Sequence, residues 1–428
     1  MIAALLKYYL SLHYWHAAPV SAITKMQLRK FRELFEHAGR HSKFYREFYG
    51  DHGVLGLKIR NMDDIGKVPK TTKAILKKHS TRDIMTCDPA AGIHIHSTSG
   101  SSGEPFKVAF SRLEDYTAHF RVMWALRKAG YRMSDKIVLV TRYDADDRFE
   151  IEKELSIIAT LQSKLHLLER EIISIYEPVD EIISKLLKSR ARLLWSTPSV
   201  MQIIGTRLKE RGIRLDFPII FLSSEVVSAR QKELFTEFVG KFIVNLYGAI
   251  ESPSLGFDFG LADRFVVFPN SNYFEFERLG DGDADQALGK VVITNLINKT
   301  MPIIRYDLHD LAEIGAQPDF GRIGINKIIG RQDDILDLGY GKYLAHHHAH
   351  EMLMDFHECE MFKFIQRPDK TVLLKLKIAH DRDRSHVEEL ARKRWGSRFG
   401  ATPLRIEFVD QFKINPQTGK FKNIEIEN

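Results

Sequence analysis

From residue 21 to residue 40, apolar side chains recur mostly at three- and four-residue steps: Ile23, Met26, Leu28, Phe31, Leu34 and Phe35. That spacing keeps them on one face of a 3.6-residue helix, so a long amphipathic helix is predicted. Farther along the pattern switches. The runs KIVLVT (136–141), RLLWS (192–196), PIIFLS (218–223) and KFIVNLY (241–247) are short and apolar, and read as buried strands. Helical patterns at 181–187, 199–208 and 229–239 lie between them. Strand–helix alternation of this kind predicts an α/β sheet covered on both faces.

After Arg331 the character changes again. TVLLKLKIA (371–379) alternates apolar and charged residues, as a strand with one wet face does. A helical stretch at 385–398 follows, and LRIEFV (404–409) reads as another strand, giving a small α+β unit of about one hundred residues. At the other end, MIAALLKYYLSLHYW is apolar and aromatic, but Lys7 and His13 interrupt it. The uninterrupted parts fall short of the roughly 20 residues that span a bilayer. A helix packed on the body of the protein, or one in weak contact with a membrane surface, is expected rather than an export signal or a transmembrane segment.

Composition narrows the field only a little. A chain of 428 residues with 44% hydrophobic and 28% charged residues is ordinary globular protein of two or three domains. The net charge of +7, from 63 basic and 56 acidic side chains, is too diffuse to argue for nucleic acid. Two distant cysteines, Cys87 and Cys359, form neither a disulfide framework nor a metal motif, which suits a reducing cytoplasm.

The stretch HSTSGSSGEP (96–105) gathers four serines, a threonine and two glycines between apolar segments. Glycine lets backbone approach an anion closely, and amides and hydroxyls surround it with donors. The spacing fits neither a Walker loop nor a dinucleotide fingerprint, and composition alone favours a plain linker or turn over an anion cradle.

Four further segments decide the matter. STSGSSGEP resembles the phosphate-binding loop of the adenylate-forming (ANL) superfamily. NLYGAIE (245–251) resembles its adenine and magnesium motif, and IRYDLHD (304–310) the motif ending in a ribose-binding aspartate. GRQDD (330–334) resembles the hinge motif and NPQTGKFK (415–422) the carboxy-terminal lysine motif. All five are collinear with the family. Outside the motifs, HSKFYREFYGDHGV, VPKTTKAIL and WSTPSVMQIIG resemble the phenylacetate–CoA ligase branch, which also holds deazaflavin-cofactor adenylyltransferases and capsule-biosynthesis relatives.

The resemblance implies a large multi-sheet α/β amino-terminal adenylation domain (1–330), a hinge (331–334) and a small mobile α+β domain (335–428). It implies that Ser97, Thr98, Ser99, Gly100, Ser101, Ser102 and Gly103 hold the β- and γ-phosphates of ATP. Glu225, Asn245, Tyr247 and Gly248 complete the nucleotide site, Asn245 and Tyr247 at adenine, while Asp310 and Arg331 take the ribose. Glu251 would coordinate Mg²⁺, Asp333 would act as the hinge, and Lys420 would bridge the acid and the α-phosphate. Two positions depart from the family: Glu104 where lysine is frequent, and Ile250 where threonine or serine precedes the glutamate.

The implied reaction is adenylation of a small-molecule carboxylic acid, expected to be aromatic. The acyl group would then pass to CoA or to the phosphopantetheine of an acyl carrier protein. Transfer of AMP to a hydroxyl of a cofactor or sugar, and a nucleotide-binding relative that has lost catalysis, are the other two readings. Retention of Glu251 and Lys420 argues against the last. The histidine-rich AHHHAHE (345–351) offers imidazoles for a transition metal, but adjacent side chains point in different directions, so a surface turn leading into a helix is the preferred reading and a metal site the alternative. The aspartates of YDADDR (143–148) read as a solvated loop, with a substrate role as the alternative, and the basic ARKRWGSRF (391–399) as a wet helix face, with steering of CoA phosphates or an acidic carrier protein as the alternative.

Overall fold

Proline breaks the amino-terminal region into two helices. Pro19 cannot donate a backbone hydrogen bond, and it stands between α1 (Ile2–Ala17) and α2 (Val20–His41). In this computed structural model the described residues are 1–88, 92–97, 106–141, 169–260, 264–279, 287–315, 325–331, 336–339, 342–344, 349, 352–353, 359–378, 383–400, 402–412 and 423–427. The helix expected at 21–40 is α2, and its apolar stripe buries Ile23, Met26, Phe31, Leu34 and Phe35. Ser42 caps α3 (Lys43–Asp51) by accepting from the Tyr45 amide at 3.3 Å.

Short elements follow: α4 (Met62–Gly66), β1 (Thr71–Thr72), α5 (Lys73–Leu76) and α6 (Thr81–Ile84). The β2–β3 hairpin (Ile93–Ser97, Lys107–Ser111) leads into α7 (Arg112–Lys128), which Ser111 and Glu114 start with a capping box. Then come β4 (Ile137–Thr141), β5 (Arg170–Ser174), α8 (Val179–Lys188), β6 (Leu193–Ser196), α9 (Pro198–Arg211), β7 (Phe217–Ser223), α10 (Ala229–Phe238) and β8 (Gly240–Ala249). Each strand and helix expected in this stretch is present, with ends shifted by three residues or fewer.

The seven-stranded sheet has the order β10-β9-β8-β7-β6-β4-β5, with β9 (Ser252–Asp258) and β10 (Val266–Val267) at one edge. Strands β4 to β8 run parallel, while β9 and β10 are antiparallel, so the sheet is mixed. Alternation along each strand explains its two dry faces. Val138, Leu194, Ile220 and Leu222 pack under α8, α9 and α10. Ile137, Leu193, Ile219 and Phe221 face Leu12 of α1 and Trp124 of α7.

A second, five-stranded sheet, not anticipated from the pattern, joins β1 to β11 (Asn272–Leu279), β12 (Ala287–Asn295), β13 (Tyr306–Ile314) and β14 (Ile325–Arg331). It packs against α2 and α3. Past β15 (Leu336–Gly339) and β16 (Lys342–Leu344), the strands β17 (Cys359–Gln366), β18 (Val372–Ile378), β19 (Leu404–Phe408) and β20 (Ile424–Ile426) form a four-stranded sheet with α11 (Arg384–Phe399). Its cluster, which includes Phe364, Leu374, Trp395 and Phe399, draws none of the described residues from before Leu336. No described helix is long and apolar enough to cross a membrane.

Candidate functional site

In a parallel sheet, ligands are met at the carboxyl ends of the strands. Here β7 ends at Ser223, Ser224 adopts a left-handed φ of 76°, and Glu225 follows. Glu225 is exposed and bridges to the start of α9, accepting from the Ser199 amide and hydroxyl, each at 2.8 Å. On the neighbouring β8, Asn245 and Tyr247 share one face by the two-residue period of a strand. Asn245 is buried, and its Oδ1 has no hydrogen-bond partner among the described residues. A buried acceptor without a donor is costly, so this oxygen is set to receive one.

Tyr247 is buried edge-on against Phe265, with ring centroids 6.1 Å apart, and donates its hydroxyl to Asp310 Oδ2 at 2.8 Å. Burial and the Asp310 charge push the phenol well above its ordinary range. Asp310 sits on β13 opposite Arg331 of β14 in the antiparallel register. Burial raises the Asp310 carboxyl to about 6, against the lowering effects of the Tyr247 hydrogen bond and the Arg331 charge. Two other β13-region residues, Arg305 (φ 44°) and His309 (φ 56°), adopt left-handed backbone. The Arg305 guanidinium is tied to Glu275 at 2.8 Å, which fixes the start of the strand.

Beyond Tyr247 the chain turns back tightly, pairing Ala249 with Ser252. A Cβ on Gly248 would stand 3.0 Å from the Ser254 backbone nitrogen, so a bare backbone is needed where the two arms meet. Glu251 is 6% exposed, accepts from the Tyr306 hydroxyl at 2.6 Å, and offers its carbonyl to Asn295 Nδ2 at 3.2 Å. No hydrogen bond from the described residues reaches its other carboxylate oxygen. Ile250 packs partly buried against the core formed around α2 and α3.

Two arrangements behind this cluster were not read from the sequence. Arg121 of α7 is 3% exposed and donates to the carbonyls of Pro253 and Ser254 (3.0 Å to the latter), tying down the turn after Glu251. It also donates to the Tyr8 hydroxyl of α1 at 2.7 Å. On the hairpin, His94 Nδ1 and His96 Nε2 lie 2.8 and 2.9 Å from the two carboxylate oxygens of Asp115. Burial works against the Asp115 charge, but the two histidine hydrogen bonds outweigh it and hold the carboxyl at about 2. Alternation in IHIHS was the available signal, because His94 and His96 must share a face. For Tyr306 the signal was its place in the same strand as Asp310.

Of the residues expected at the site, Tyr247, Glu251, Asp310 and Arg331 are brought together from three sequence segments, with Asn245 beside them. Ser97 closes β2, exposed and opposite Lys107. Thr98, Ser99, Gly100, Ser101, Ser102, Gly103, Glu104, Asp333 and Lys420 lie outside the described residues, as do 143–148 and His346, His347, His348 and His350. No cluster of three metal-ligating side chains occurs among the described residues.

No protein-family model matches the chain. Its sequence is similar to the phenylacetate-coenzyme A ligase of Pseudomonas putida, 22% identical over 334 residues that make up 74% of this chain and 73% of the relative. The ligase of the same name from Escherichia coli (strain K12) is 23% identical over 332 residues, with the same coverage of 74% and 73%. Among solved structures, 2-hydroxyisobutyryl-CoA ligase in the postadenylation state, in complex with R3-HIB-AMP, aligns with a TM-score of 0.73 at 17% identity. That alignment covers 96% of this chain and 90% of the other. The fold is that of adenylate-forming CoA ligases, a mixed α/β architecture of several sheets. The resemblance read from the motifs is matched in both sequence and structure.

Proposed function

We propose that this protein is an acid–thiol ligase that activates a carboxylic acid with ATP and passes the acyl group to CoA. The observation that carries this reading is the joining of Tyr247 to Asp310 and of Glu251 to Tyr306, across two motifs about sixty residues apart. The similarity to phenylacetate- and 2-hydroxyisobutyryl-CoA ligases supports the same chemistry, and the former favours an aromatic acid.

In this reading the acid's carboxylate attacks the α-phosphorus of ATP, an acyl–phosphate bond forms, and pyrophosphate leaves. Charge grows on phosphoryl oxygens, so the protein's task is to position cations and donors rather than to move protons. Asn245 Oδ1, buried and lacking a donor, fits the exocyclic amine of adenine. Asp310 accepts from the ribose hydroxyls, with Arg331 beside it. The hydroxyls and amides of residues 97–103 cradle the outer phosphates. Glu251 fits Mg²⁺ as a hard oxygen ligand, since Tyr306 engages only one of its two carboxylate oxygens among the described residues. That ion would neutralise charge on the phosphates when bound.

Lys420 then brings its ammonium to the α-phosphate and the acid. The separate core that begins at Leu336 supports treating 335–428 as a small domain that swings about Asp333, withdrawing Lys420 before thiol attack. CoA is the proposed acceptor, and a carrier-protein phosphopantetheine is the alternative thiol. We place the reaction in the cytoplasm, where the Cys87 and Cys359 thiols, not joined in a disulfide, stay reduced.

ATP–pyrophosphate exchange over a panel of aryl, fatty and amino acids tests the first half-reaction, with Lys420→Ala in parallel. Acid-dependent exchange that collapses in the variant is the expected result. ATP binding without exchange for any acid would overturn acyl activation and leave AMP transfer to a hydroxyl as the reading to pursue.

A further inference from the structure

Helix α1 is apolar on two sides, and among the described residues only one is packed. On the inner side, Leu12 is 1% exposed and packs with Trp124 and Phe257. The Tyr8 hydroxyl lies 2.8 Å from Ser271 Oγ and accepts from Arg121, while Asn270 donates to Ser11 Oγ at 3.1 Å. These polar contacts fix the rotation of the helix about its own axis. On the outer side, Ile2, Leu6, Leu10 and Tyr14 are 77%, 55%, 60% and 60% exposed. Four-residue steps make them one continuous stripe. With the inner side pinned, the helix cannot turn the stripe inward, and a contiguous exposed apolar stripe marks an interaction surface.

Charge identifies the occupant. Residues 2–17 include no aspartate or glutamate, and the exposed Lys7 lies among the outer positions. Arg127 and Lys128, both exposed, end the neighbouring helix α7. The Lys128 ammonium sits 5.2 Å over the Trp124 ring, whose centroid is 6.1 Å from His13 and 5.0 Å from His16. An apolar stripe edged with cations and free of acids suits the headgroup–acyl boundary of an anionic bilayer. A second copy would instead set two acid-free, cation-edged faces against each other. Sixteen helical residues extend about 24 Å, short of the hydrocarbon core, so this helix would lie on the bilayer rather than cross it.

We propose that the outer face of α1 docks the protein onto anionic lipid surfaces. The test is flotation of the full chain with phosphatidylglycerol–phosphatidylcholine vesicles and with phosphatidylcholine vesicles alone. Partition at least about ten-fold higher onto the anionic vesicles is expected, weakened by salt. The double variant L6E/L10E should lose about ten-fold or more on both kinds of vesicle, with its melting curve checking that it folds. Lys7→Glu leaves the stripe intact and should weaken binding only to the anionic vesicles. Wild-type protein that fails to float, or a double variant that floats as well as wild type, would overturn the proposal. So would a dimer, seen by sedimentation, that the double variant dissolves while lipid is ignored; that result assigns the face to a second copy.

Discussion

Burial lifts the Asp310 carboxyl to about 6, and this sets the sign of its pH dependence. Unfolded, the same group titrates near 4. Between these values the folded chain keeps a proton that the unfolded chain has released, so this group's contribution to stability falls as pH rises from about 4 to about 6. Above that window the ionised side chain costs up to about 3 kcal/mol. Asp310→Asn removes the charge and keeps an acceptor for Tyr247. Its melting temperature should exceed that of wild type by several degrees near neutrality, with the gap closing near pH 4. The same variant should raise the KM for ATP about ten-fold or more, because a ribose acceptor is weakened. A variant less stable than wild type at neutral pH would contradict the assignment. Tyr306→Phe tests the neighbouring pair. It strips a hydrogen bond from a buried carboxylate, and urea titration should show a loss of about 1–3 kcal/mol. It should also raise the Mg²⁺ concentration needed for half-maximal exchange.

At the scale of single elements, the Asp115 carboxylate joins the hairpin to α7 and steadies β2, the strand that ends at Ser97. Its two histidine partners hold the carboxyl at about 2. The stabilisation is therefore present above about pH 4 and lost as pH falls from there toward 2. Asp115→Ala should cost about 2–3 kcal/mol at neutral pH by urea denaturation, and the two proteins should converge in stability on acidification. Strands and helices whose periodicity is local were legible in the sequence: β4, β6, β7 and β8 and the helices between them follow the apolar pattern closely. The five-stranded sheet was not. Its pairing of Thr71 with Tyr306 and of Asn272 with Asn295 depends on chain segments that meet only in three dimensions. The same limit hid the partners of Arg121 and Asp115. Motifs located Glu251 and Asp310, but no spacing rule places Tyr306 at one and Tyr247 at the other.

For the whole molecule, Arg121 acts as a tie between layers. Its guanidinium reaches from Tyr8 on α1 to the carbonyls behind Glu251, and carbonyl and hydroxyl oxygens rather than a carboxylate receive it. Arg121→Met should therefore lower stability by about 3 kcal/mol or more and slow ATP–pyrophosphate exchange through the loosened turn. Arg121→Lys, which keeps the charge but not the fork, should restore only part of either. Equal exchange rates for wild type and Arg121→Met would separate the turn from the chemistry. The tie also has a consequence in time. Tyr8 and the Ser271 it touches are 263 residues apart, so α1 leaves the ribosome long before its inner contact surface is complete. At about 5–20 residues per second, that interval is roughly ten to fifty seconds, and for much of it α7 is the partner that has been made for the inner side. Until then the inner face of α1 lacks the Ser271 and Asn270 contacts that fix its rotation, so the helix gains its final orientation only when the second half of the chain has folded against it.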